Sequence, residues 1–428
     1  MKKVLPGRVE IIAVGSELLG PDFLDTNSLY LSARLNELGW EVAFKTIVGD
    51  QENDLRLRLR EALRRTDLVF VMGGLGPTSD DITTRVVART VRRKLVLDKD
   101  TLKALETRLR RRQIPLSAAN RKQAYVVKGA EVIPNKNGTA PGQWLTVGRR
   151  LLILLPGPPH ELKLMCEENV WPVLTKKRRG FLVRGILKTT GLAESMVETL
   201  ISDLYPRRDD LNVTVLASPG QIEVHLTAFS AVSPLLAERK LRRLKSRLAR
   251  RIRDYVFSQT GESLEEVVGG LLRKSNKTLA VAESCSGGLI GHRLTNVPGS
   301  SAYFREGVIA YSNAAKIDLL FVSSELIETH GAVSLQTAKA MAHGVRRRAR
   351  ADFGLSVTGI AGPSGGTSDK PVGLVFIALA WRGGTEVQKN LFPGTRDRIK
   401  IQSAQKALDI LRRHLLLEVR TAKKRKKP

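Results

Sequence analysis

The sequence predicts an α/β protein of three domains: a doubly wound α/β domain, a small α+β domain and a second α/β domain. Strand and helix patterns alternate over residues 9–162, become a mixed pattern between residues 176 and 259, and alternate again from residue 262. At 428 residues the chain is long enough for two to four domains. We place the domains at residues 1–175, 176–259 and 260–418, followed by a basic, disordered tail at 419–428.

In the first domain, the apolar run at residues 9–15 ends in glycine, as buried parallel strands do. Residues 27–39 carry apolar side chains at helical spacing and stop at a glycine. Strands at 40–50 and 67–74 enclose a helix at 52–66, and a late strand at 150–156 precedes a proline-rich turn and another helix. This order of elements predicts a doubly wound sheet.

The remaining elements follow in chain order. The middle domain has predicted strands at 181–191, 212–220 and 221–229 and helices at 193–205 and 233–256, which indicate an antiparallel sheet with helices. It contains no G-x-x-G loop of the kind that clamps a nucleic-acid backbone. The last domain has predicted strands at 278–284, 306–312, 352–362, 372–381 and 386–394, a helix at 334–350 and a closing helix at 396–416.

The chain is strongly basic, with 71 basic and 42 acidic residues and a net charge of +29. The basic runs lie on segments with the pattern of amphipathic helices. The simplest interpretation of these runs is therefore that they form solvent-exposed helix faces. Aromatic residues for stacking on single strands are few, and we expect only weak, non-specific nucleic-acid binding. The two cysteines make no zinc spacing, no apolar run is long enough to span a bilayer, and from the short apolar stretch at the start we expect no signal peptide. We therefore expect a cytoplasmic protein without a membrane partner.

A glycine-rich loop at residues 72–84 follows the third strand and precedes a helix. Gly74 and Gly76 let the backbone come close to a ligand, and free amides at a helix start favour a phosphate. Asp80 and Asp81 would repel a phosphate directly, so we interpret them as ligands of a magnesium ion that bridges to it. The alternative is a glycine turn with an aspartate helix cap.

Three other loops of the first domain carry polar side chains. Glu17, Asp25 and Asn27 lie just past the first strand, residues 134–142 form a polar glycine loop, and Glu161 follows the proline-rich turn. In a doubly wound sheet the loops at the carboxyl ends of the strands converge on one crevice. We therefore expect these loops to lie close together.

The motifs IIAVGSELLG, DTNS, VGD, GGLGPTSDDIT, NRKQA, NGTAPG and LPGPPHEL, in this order, resemble the molybdopterin-binding-like domain of the CinA competence/damage-inducible proteins. They cover most of residues 9–162. Some members of that family hydrolyse ADP-ribose pyrophosphate with a divalent metal, so the resemblance implies ADP-ribose as the substrate and a metal, Mg²⁺, as the cofactor. The site residues expected here are Glu17, Asp25, Asn27, Gly74, Gly76, Asp80, Asn137, Thr139 and Glu161, with Asp80 and Asp81 on the metal.

In the last domain, Ser284 ends an apolar strand, as a nucleophile presented to a crevice would. Cys285 should face the other way, into packing, and Ser286 is better placed to cap the helix that begins at Gly287 and Gly288. Amides at that helix start are candidate oxyanion donors. The flanking residues do not form the G-x-S-x-G elbow, which disfavours an α/β-hydrolase triad.

The base for Ser284 must come from another segment. Tyr311 lies at the next strand end and Lys316 on the helix that follows. A partly desolvated lysine with a lowered pKa can act as a base, although an ordinary surface lysine is the alternative. Arg396 and Arg398 begin a helix, where a cation opposes the helix dipole and favours an anionic partner. Another strand end supplies a hydrogen-bonding threonine and a glycine loop for close ligand approach: Thr358, Gly359, Gly362, Gly365 and Gly366.

These motifs look like the C-terminal CinA domain, the nicotinamide-nucleotide amidase, over residues 262–416, and the middle domain resembles the family's KH-like insert. The resemblance implies that Ser284 is the nucleophile, that Tyr311 and Lys316 transfer protons, and that Thr358 and Arg396 fix the substrate, with no cofactor. The sequence departs from the family at Ser286, where threonine is usual, and at Thr395, where aspartate is usual.

From these resemblances we expect a homodimeric hydrolase. Its C-terminal domain would convert nicotinamide mononucleotide to nicotinate mononucleotide and ammonia, and its N-terminal domain would be a metal-dependent ADP-ribose pyrophosphatase. The alternative is a competence- or DNA-damage-associated nucleic-acid-binding protein in which one or both hydrolase sites are inactive.

Overall fold

The computed structural model describes residues 7–111, 113–178, 180–205 and 210–425. The chain forms two compact units, one built mainly of residues up to Arg184 and the other mainly of residues after Arg243. Segments of the middle region are divided between the two units.

The first domain centres on a doubly wound sheet. Its strands are β1 (Gly7–Val14), β2 (Trp40–Val48), β3 (Leu68–Met72), β4 (Leu95–Leu97), β5 (Tyr125–Val127), β6 (Glu131–Ile133), β7 (Gly142–Val147) and β8 (Arg150–Leu155). Its helices are α1 (Thr26–Glu37), α2 (Glu52–Arg65), α3 (Thr83–Thr90), α4 (Lys99–Arg111), α5 (Ala118–Lys122), α6 (Pro159–Met165) and α7 (Trp171–Lys176). Six strands pair in the order β2-β1-β3-β8-β7-β6, and β4 pairs with β5 separately.

The sheet is parallel from β2 to β8 and antiparallel at β7 and β6. Side chains of β1 alternate between its two faces, so that Ile11 packs with residues of α1 and α6 while Ile12 packs with residues of α2 and α3. Because β1 lies between β2 and β3, the chain leaves β1 and β3 in opposite directions at their carboxyl ends, which opens a crevice there. The predicted doubly wound domain is confirmed.

The middle domain is the predicted small α+β domain. Its elements are β9 (Phe181–Thr189), α8 (Glu194–Ile201), β10 (Leu211–Ser218), β11 (Gln221–Ser230), α9 (Pro234–Arg251) and β12 (Val256–Ser258). The strands pair in the order β10-β11-β9-β12, with β12 antiparallel to β9. Apolar side chains at helical spacing, such as Leu241, Leu244 and Leu248 of α9, are buried, and the arginines between them remain exposed.

The last domain is a second α/β domain, as predicted. Its strands are β13 (Leu279–Glu283), β14 (Phe304–Ile309), β15 (Phe353–Gly359), β16 (Leu374–Trp381) and β17 (Gly384–Leu391). Its helices are α10 (Leu264–Ser275), α11 (Leu289–Thr295), α12 (Asn313–Leu320), α13 (Ser324–His330), α14 (Leu335–Arg348) and α15 (Arg396–Arg425). The sheet order is β14-β13-β15-β16-β17, parallel through β14, β13 and β15 and antiparallel at β16 and β17. Residues of α10, α11 and α15 cover one face, and residues of α12, α13 and α14 cover the other.

The closing helix is longer than the sequence predicts. α15 continues to Arg425, so the expectation of a disordered tail from residue 419 is wrong for residues 419–425. Between its start and Arg425 the segment contains no glycine or proline, and lysine and arginine are good helix formers, so nothing in the sequence stops the helix. Residues 426–428 of the predicted tail lie outside the described residues.

Over the part of the chain that the structure describes, no helix combines the length and the apolar character of a membrane span. Cys166 and Cys285 are both buried and free.

Candidate active site

Ser284 directly follows β13. Its backbone amide donates to the carbonyl of Val357 at 3.0 Å, which extends the pairing of β13 with β15 by one residue. Because side chains alternate along a strand, Ser284 lies on the face of Ala280 and Ala282, whose side chains pack with residues of α12 and α14. Cys285 belongs to the core on the opposite face, as predicted. Burial raises the pKa of the Cys285 thiol to about 12, so it stays protonated at neutral pH.

Lys316 meets Ser284 from α12. The Ser312 side chain caps this helix by accepting from the Ala315 amide at 3.0 Å, and Lys316 lies in the turn that follows. The Lys316 ammonium nitrogen Nζ lies 3.2 Å from Ser284 Oγ and 2.9 Å from the carbonyl oxygen of Ala310. Lys316 is only 2% exposed, and burial lowers the pKa of its amine below the ordinary lysine value. It is therefore not the solvated surface lysine of the alternative interpretation.

Tyr311 contacts both Lys316 and Arg396, but through different atoms. Its backbone carbonyl accepts from Lys316 Nζ at 3.2 Å, and its exposed hydroxyl accepts from Arg396 at 2.8 Å. Arg396 also donates to the Gly362 carbonyl at 2.7 Å. These two bonds fix the guanidinium of Arg396, although residue 395 is threonine.

The other predicted substrate-binding residues have structural partners. Thr358 is 1% exposed, and its hydroxyl donates to the Ala332 carbonyl at 2.8 Å. A Cβ at Gly359 would lie 2.6 Å from the Leu374 carbonyl oxygen, so β16 alone requires glycine at this position. Gly362 and Gly365 have φ angles of 74° and 88°, which favour glycine, and Gly365 and Gly366 lie on an exposed turn.

The prediction that Ser286 caps α11 is wrong. α11 begins at Leu289 with Gly288 as its cap residue, too far along the chain for the Ser286 hydroxyl, which is buried and has no partner among the described residues. Glu283, which sequence reasoning missed, does the capping instead. Its carboxylate accepts from the amides of Ile290 at 3.1 Å and Gly291 at 2.8 Å.

A cavity of about 540 Å³ lies in the first domain beside the glycine loop that follows β3. Gly74, Gly76 and Asp81 are the predicted residues that line it. The sequence analysis missed other lining residues, among them Arg85, Leu95, Arg121, Lys122, Gln123, Tyr125 and Gln143. Three of these follow each other within the motif NRKQA, whose conspicuous run of polar and basic side chains was the available signal.

The two predicted metal ligands have different surroundings. Asp81 lines the cavity, and one oxygen of its carboxylate accepts from the Thr78 amide at 2.8 Å and from the Thr78 hydroxyl at 2.6 Å. Asp80 is exposed on the same turn. Within the described ranges no group of three or more His, Cys, Asp or Glu side chains is placed to hold a metal ion. The carboxylate that lines the cavity, that of Asp81, is the kind of ligand through which proteins hold a magnesium ion together with phosphate and water.

Several of the remaining predicted residues of this domain join loops that are distant in the chain, and the others make local contacts. Asp25 caps α1 by accepting from the Ser28 amide, and Asn27 donates to the Gly157 carbonyl at 2.7 Å. Asn137 donates to the His160 carbonyl at 3.3 Å, and Glu161 accepts from Asn135 at 2.6 Å. Thr139 accepts from Gln123 at 3.1 Å. Glu17 lies against Gly15 on the turn after β1.

The fold defines a protein in which a doubly wound α/β domain, a small α+β domain and an α/β domain with a buried serine–lysine pair follow each other. Three family models match the chain in this order: "Probable molybdopterin binding domain" over residues 10–176, "Damage-inducible protein CinA KH domain" over residues 184–258 and "CinA C-terminal domain" over residues 261–415. The chain belongs to the CinA family of competence/damage-inducible proteins.

Two relatives that match this chain over nearly their full length are named CinA-like proteins. A CinA-like protein of Solibacter usitatus is 44% identical over 96% of this chain and 99% of its own length. A CinA-like protein of Acidobacterium capsulatum is 46% identical over 95% of this chain and 99% of its own length. Among solved structures, a competence/damage inducible protein of Agrobacterium tumefaciens is 40% identical over 35% of this chain and 94% of its own, with a TM-score of 0.34.

Proposed function

We propose that the C-terminal domain is an amidase that converts nicotinamide mononucleotide to nicotinate mononucleotide and ammonia. The observation that carries this proposal is the 3.2 Å contact between Ser284 Oγ and a lysine amine buried from solvent. Burial lowers the pKa of Lys316, which favours the neutral amine, and only the neutral amine can take a proton from the serine.

The reaction follows from this pair. Ser284 Oγ attacks the carboxamide carbon while its proton passes to Lys316 Nζ, which gives a tetrahedral intermediate and an ammonium on Lys316. The carbon–nitrogen bond then breaks, the lysine returns the proton to the leaving nitrogen, and ammonia departs from an acyl-serine ester. Water, deprotonated by the neutral Lys316, hydrolyses the ester and releases the carboxylate product with the serine restored.

Arg396 supports a substrate that carries a phosphate. Its two hydrogen-bond partners, the Tyr311 hydroxyl and the Gly362 carbonyl, are both neutral, so neither compensates its positive charge. A phosphate monoester is a dianion that such a guanidinium binds well. The resemblance of this domain to the family's amidase points to the same substrate.

The test is to incubate the full-length protein with nicotinamide mononucleotide and to measure ammonia and nicotinate mononucleotide. The two products should appear in equal amounts without added metal, and Ser284→Ala should form neither. An active Ser284→Ala protein would remove this mechanism.

For the N-terminal cavity we propose metal-dependent hydrolysis of ADP-ribose. The supporting observation is a cavity of about 540 Å³ that combines one carboxylate, Asp81, with the basic side chains of Arg85, Arg121 and Lys122. Asp81 would hold the ion, which when bound supplies charge neutralisation for a pyrophosphate. The basic residues would bind phosphate oxygens. AMP release from ADP-ribose with and without Mg²⁺ tests this second activity.

A further inference from the structure

The N-terminal cavity differs in chemistry from one part to another. Near the glycine loop it has backbone at Gly74 and Gly76 and the Asp81 carboxylate. Tyr125 and Leu95 lie on the paired strands β5 and β4, and their side chains are 38% and 37% exposed. An exposed aromatic ring with an apolar neighbour is the kind of surface on which a nucleobase stacks.

Gln123 also lines this cavity, two residues before Tyr125. It is 5% exposed, and its amide nitrogen donates to the Thr139 hydroxyl at 3.1 Å. Its Oε1 atom is buried and accepts no hydrogen bond from any of the described residues. By contrast, Oε1 of Gln143, another carboxamide of the same cavity, accepts from the Val127 amide at 2.8 Å. Gln123 therefore has an acceptor oxygen without a donor, while its amide nitrogen is paired with Thr139.

A buried acceptor without a donor costs free energy, and a ligand that brings an N–H group to it recovers that cost. Gln123 and Tyr125 line the same cavity, so a base stacked on Tyr125 is the part of a nucleotide that can supply this donor. We propose that Gln123 makes the cavity selective for a nucleotide whose base carries an exocyclic amino group, such as adenine, over one with a carbonyl at the same position. This proposal rests on the proposed nucleotide site in the N-terminal domain and adds its base specificity.

AMP and IMP test the proposal directly, because they differ in the exocyclic amino group of adenine, which is a carbonyl in hypoxanthine. With IMP the carbonyl would face Oε1 of Gln123, and two acceptors would be left without a donor. We expect the full-length protein to bind AMP about 10- to 100-fold more tightly than IMP in calorimetric titrations. Gln123→Met, which keeps the side-chain length and removes the acceptor, should bind the two nucleotides equally.

Two further variants complete the design. Gln123→Glu keeps an acceptor oxygen and should keep the preference for AMP, whereas both affinities fall because a negative charge is added to a cavity that binds an anion. Gln51→Met, an exposed glutamine whose side chain does not cap α2, should behave like the unmodified protein. Thermal melts establish that each variant is folded.

Equal binding of AMP and IMP by the unmodified protein overturns the proposal, and so does a preference for AMP that survives in Gln123→Met. If Gln123→Met does not fold, Gln123→Glu decides: loss of the preference while an acceptor is still present contradicts the role of Gln123. If the unmodified protein binds neither nucleotide, the proposed nucleotide site of the N-terminal domain fails together with this inference.

Discussion

Lys316 Nζ and Ser284 Oγ lie 3.2 Å apart, although the two residues are 32 positions apart in the chain. The strand end of β13 presents the serine and the first turn of α12 presents the lysine, on the same face of the sheet. Carbonyl oxygens of Ala310 and Tyr311 hold the amine in this position. The two side chains therefore form one unit, and we expect them to act as one in kinetics.

The first prediction concerns this unit. Ser284→Ala and Lys316→Met should each lower ammonia release from nicotinamide mononucleotide by roughly 10⁴-fold or more, and the double variant should be no slower than either. Cys285→Ala is the matched control, because this neighbouring thiol stays protonated and faces the core; it should keep most of the activity. Losses that add in the double variant would show that the two residues act separately.

The second prediction concerns pH. Burial lowers the pKa of Lys316, and the proposed reaction needs its neutral form, so kcat should rise with pH through a pKa below the ordinary lysine value of 10.5. The same shift makes folding stability rise with pH between the folded and the unfolded pKa, because the unfolded chain binds the extra proton there. Lys316→Met should lose this rise in urea-unfolding experiments. A kcat that falls as pH increases over this range would contradict the role of Lys316 as base.

Stability of the serine turn is the third prediction. Glu283 accepts from two amides of α11, so Glu283→Gln, which removes the negative charge at the helix start, should lower the free energy of unfolding by about 1 kcal/mol. Ser286→Ala should be neutral or slightly stabilising, because the buried Ser286 hydroxyl has no partner among the described residues. Urea-unfolding curves measure both. A larger loss for Ser286→Ala than for Glu283→Gln would restore Ser286 as the cap.

The sequence was sufficient for the order of domains and for most helices and strands, because the apolar periodicity of segments such as α9 and β13 is strong. The sequence also predicted that Ser284 is a nucleophile and that Lys316 is its base. It was not sufficient for the burial of Lys316, which depends on how α12 and α14 pack on the sheet. The position of Ser286 just before the glycine pair favours it as the cap of α11. Glu283 is the cap instead because α11 begins only at Leu289, where its first amides reach the Glu283 carboxylate.

In the N-terminal cavity, too, only part of the lining could be predicted from the sequence. Gly74, Gly76 and Asp81 were accessible to sequence reasoning because a glycine loop after a strand has a recognisable pattern. Tyr125 has no such pattern, and Gln123 stands out only as part of the polar run NRKQA, because its unpartnered oxygen is a property of the packed structure. The helix at residues 419–425 differs from the prediction for another reason: a high density of basic residues is typical of disordered tails, although lysine and arginine also favour helices.

Charge on α9 leads to the fourth prediction. Arg243, Arg247 and Arg250 are exposed on one helix, and the last two line a basic depression together with Arg251 and Arg253. We expect weak binding of duplex DNA that is independent of its sequence and falls steeply between low and physiological salt. Replacing Arg247 and Arg250 by glutamate should reduce the salt slope and leave ammonia release unchanged. Sequence-selective binding that persists at high salt would instead support the nucleic-acid-binding alternative.

The last prediction separates the two carboxylates of the N-terminal turn. Asp81 lines the cavity, whereas Asp80 is exposed, so Asp81→Asn should abolish Mg²⁺-dependent release of AMP from ADP-ribose and Asp80→Asn should lower it much less. Asparagine keeps an oxygen that can accept from the Thr78 amide and hydroxyl, so the turn should hold its shape while the charge that binds the ion is lost. Chelation of the metal should stop the unmodified protein in the same way, and added Mg²⁺ should restore it but not Asp81→Asn. Ammonia release should be unaffected in every case, because the proposed amide hydrolysis is carried by Ser284 and Lys316 of the last domain and has no step that uses Asp80, Asp81 or their ion. A stronger loss in Asp80→Asn than in Asp81→Asn would place the ion on the exposed side of the turn and remove the cavity from the reaction.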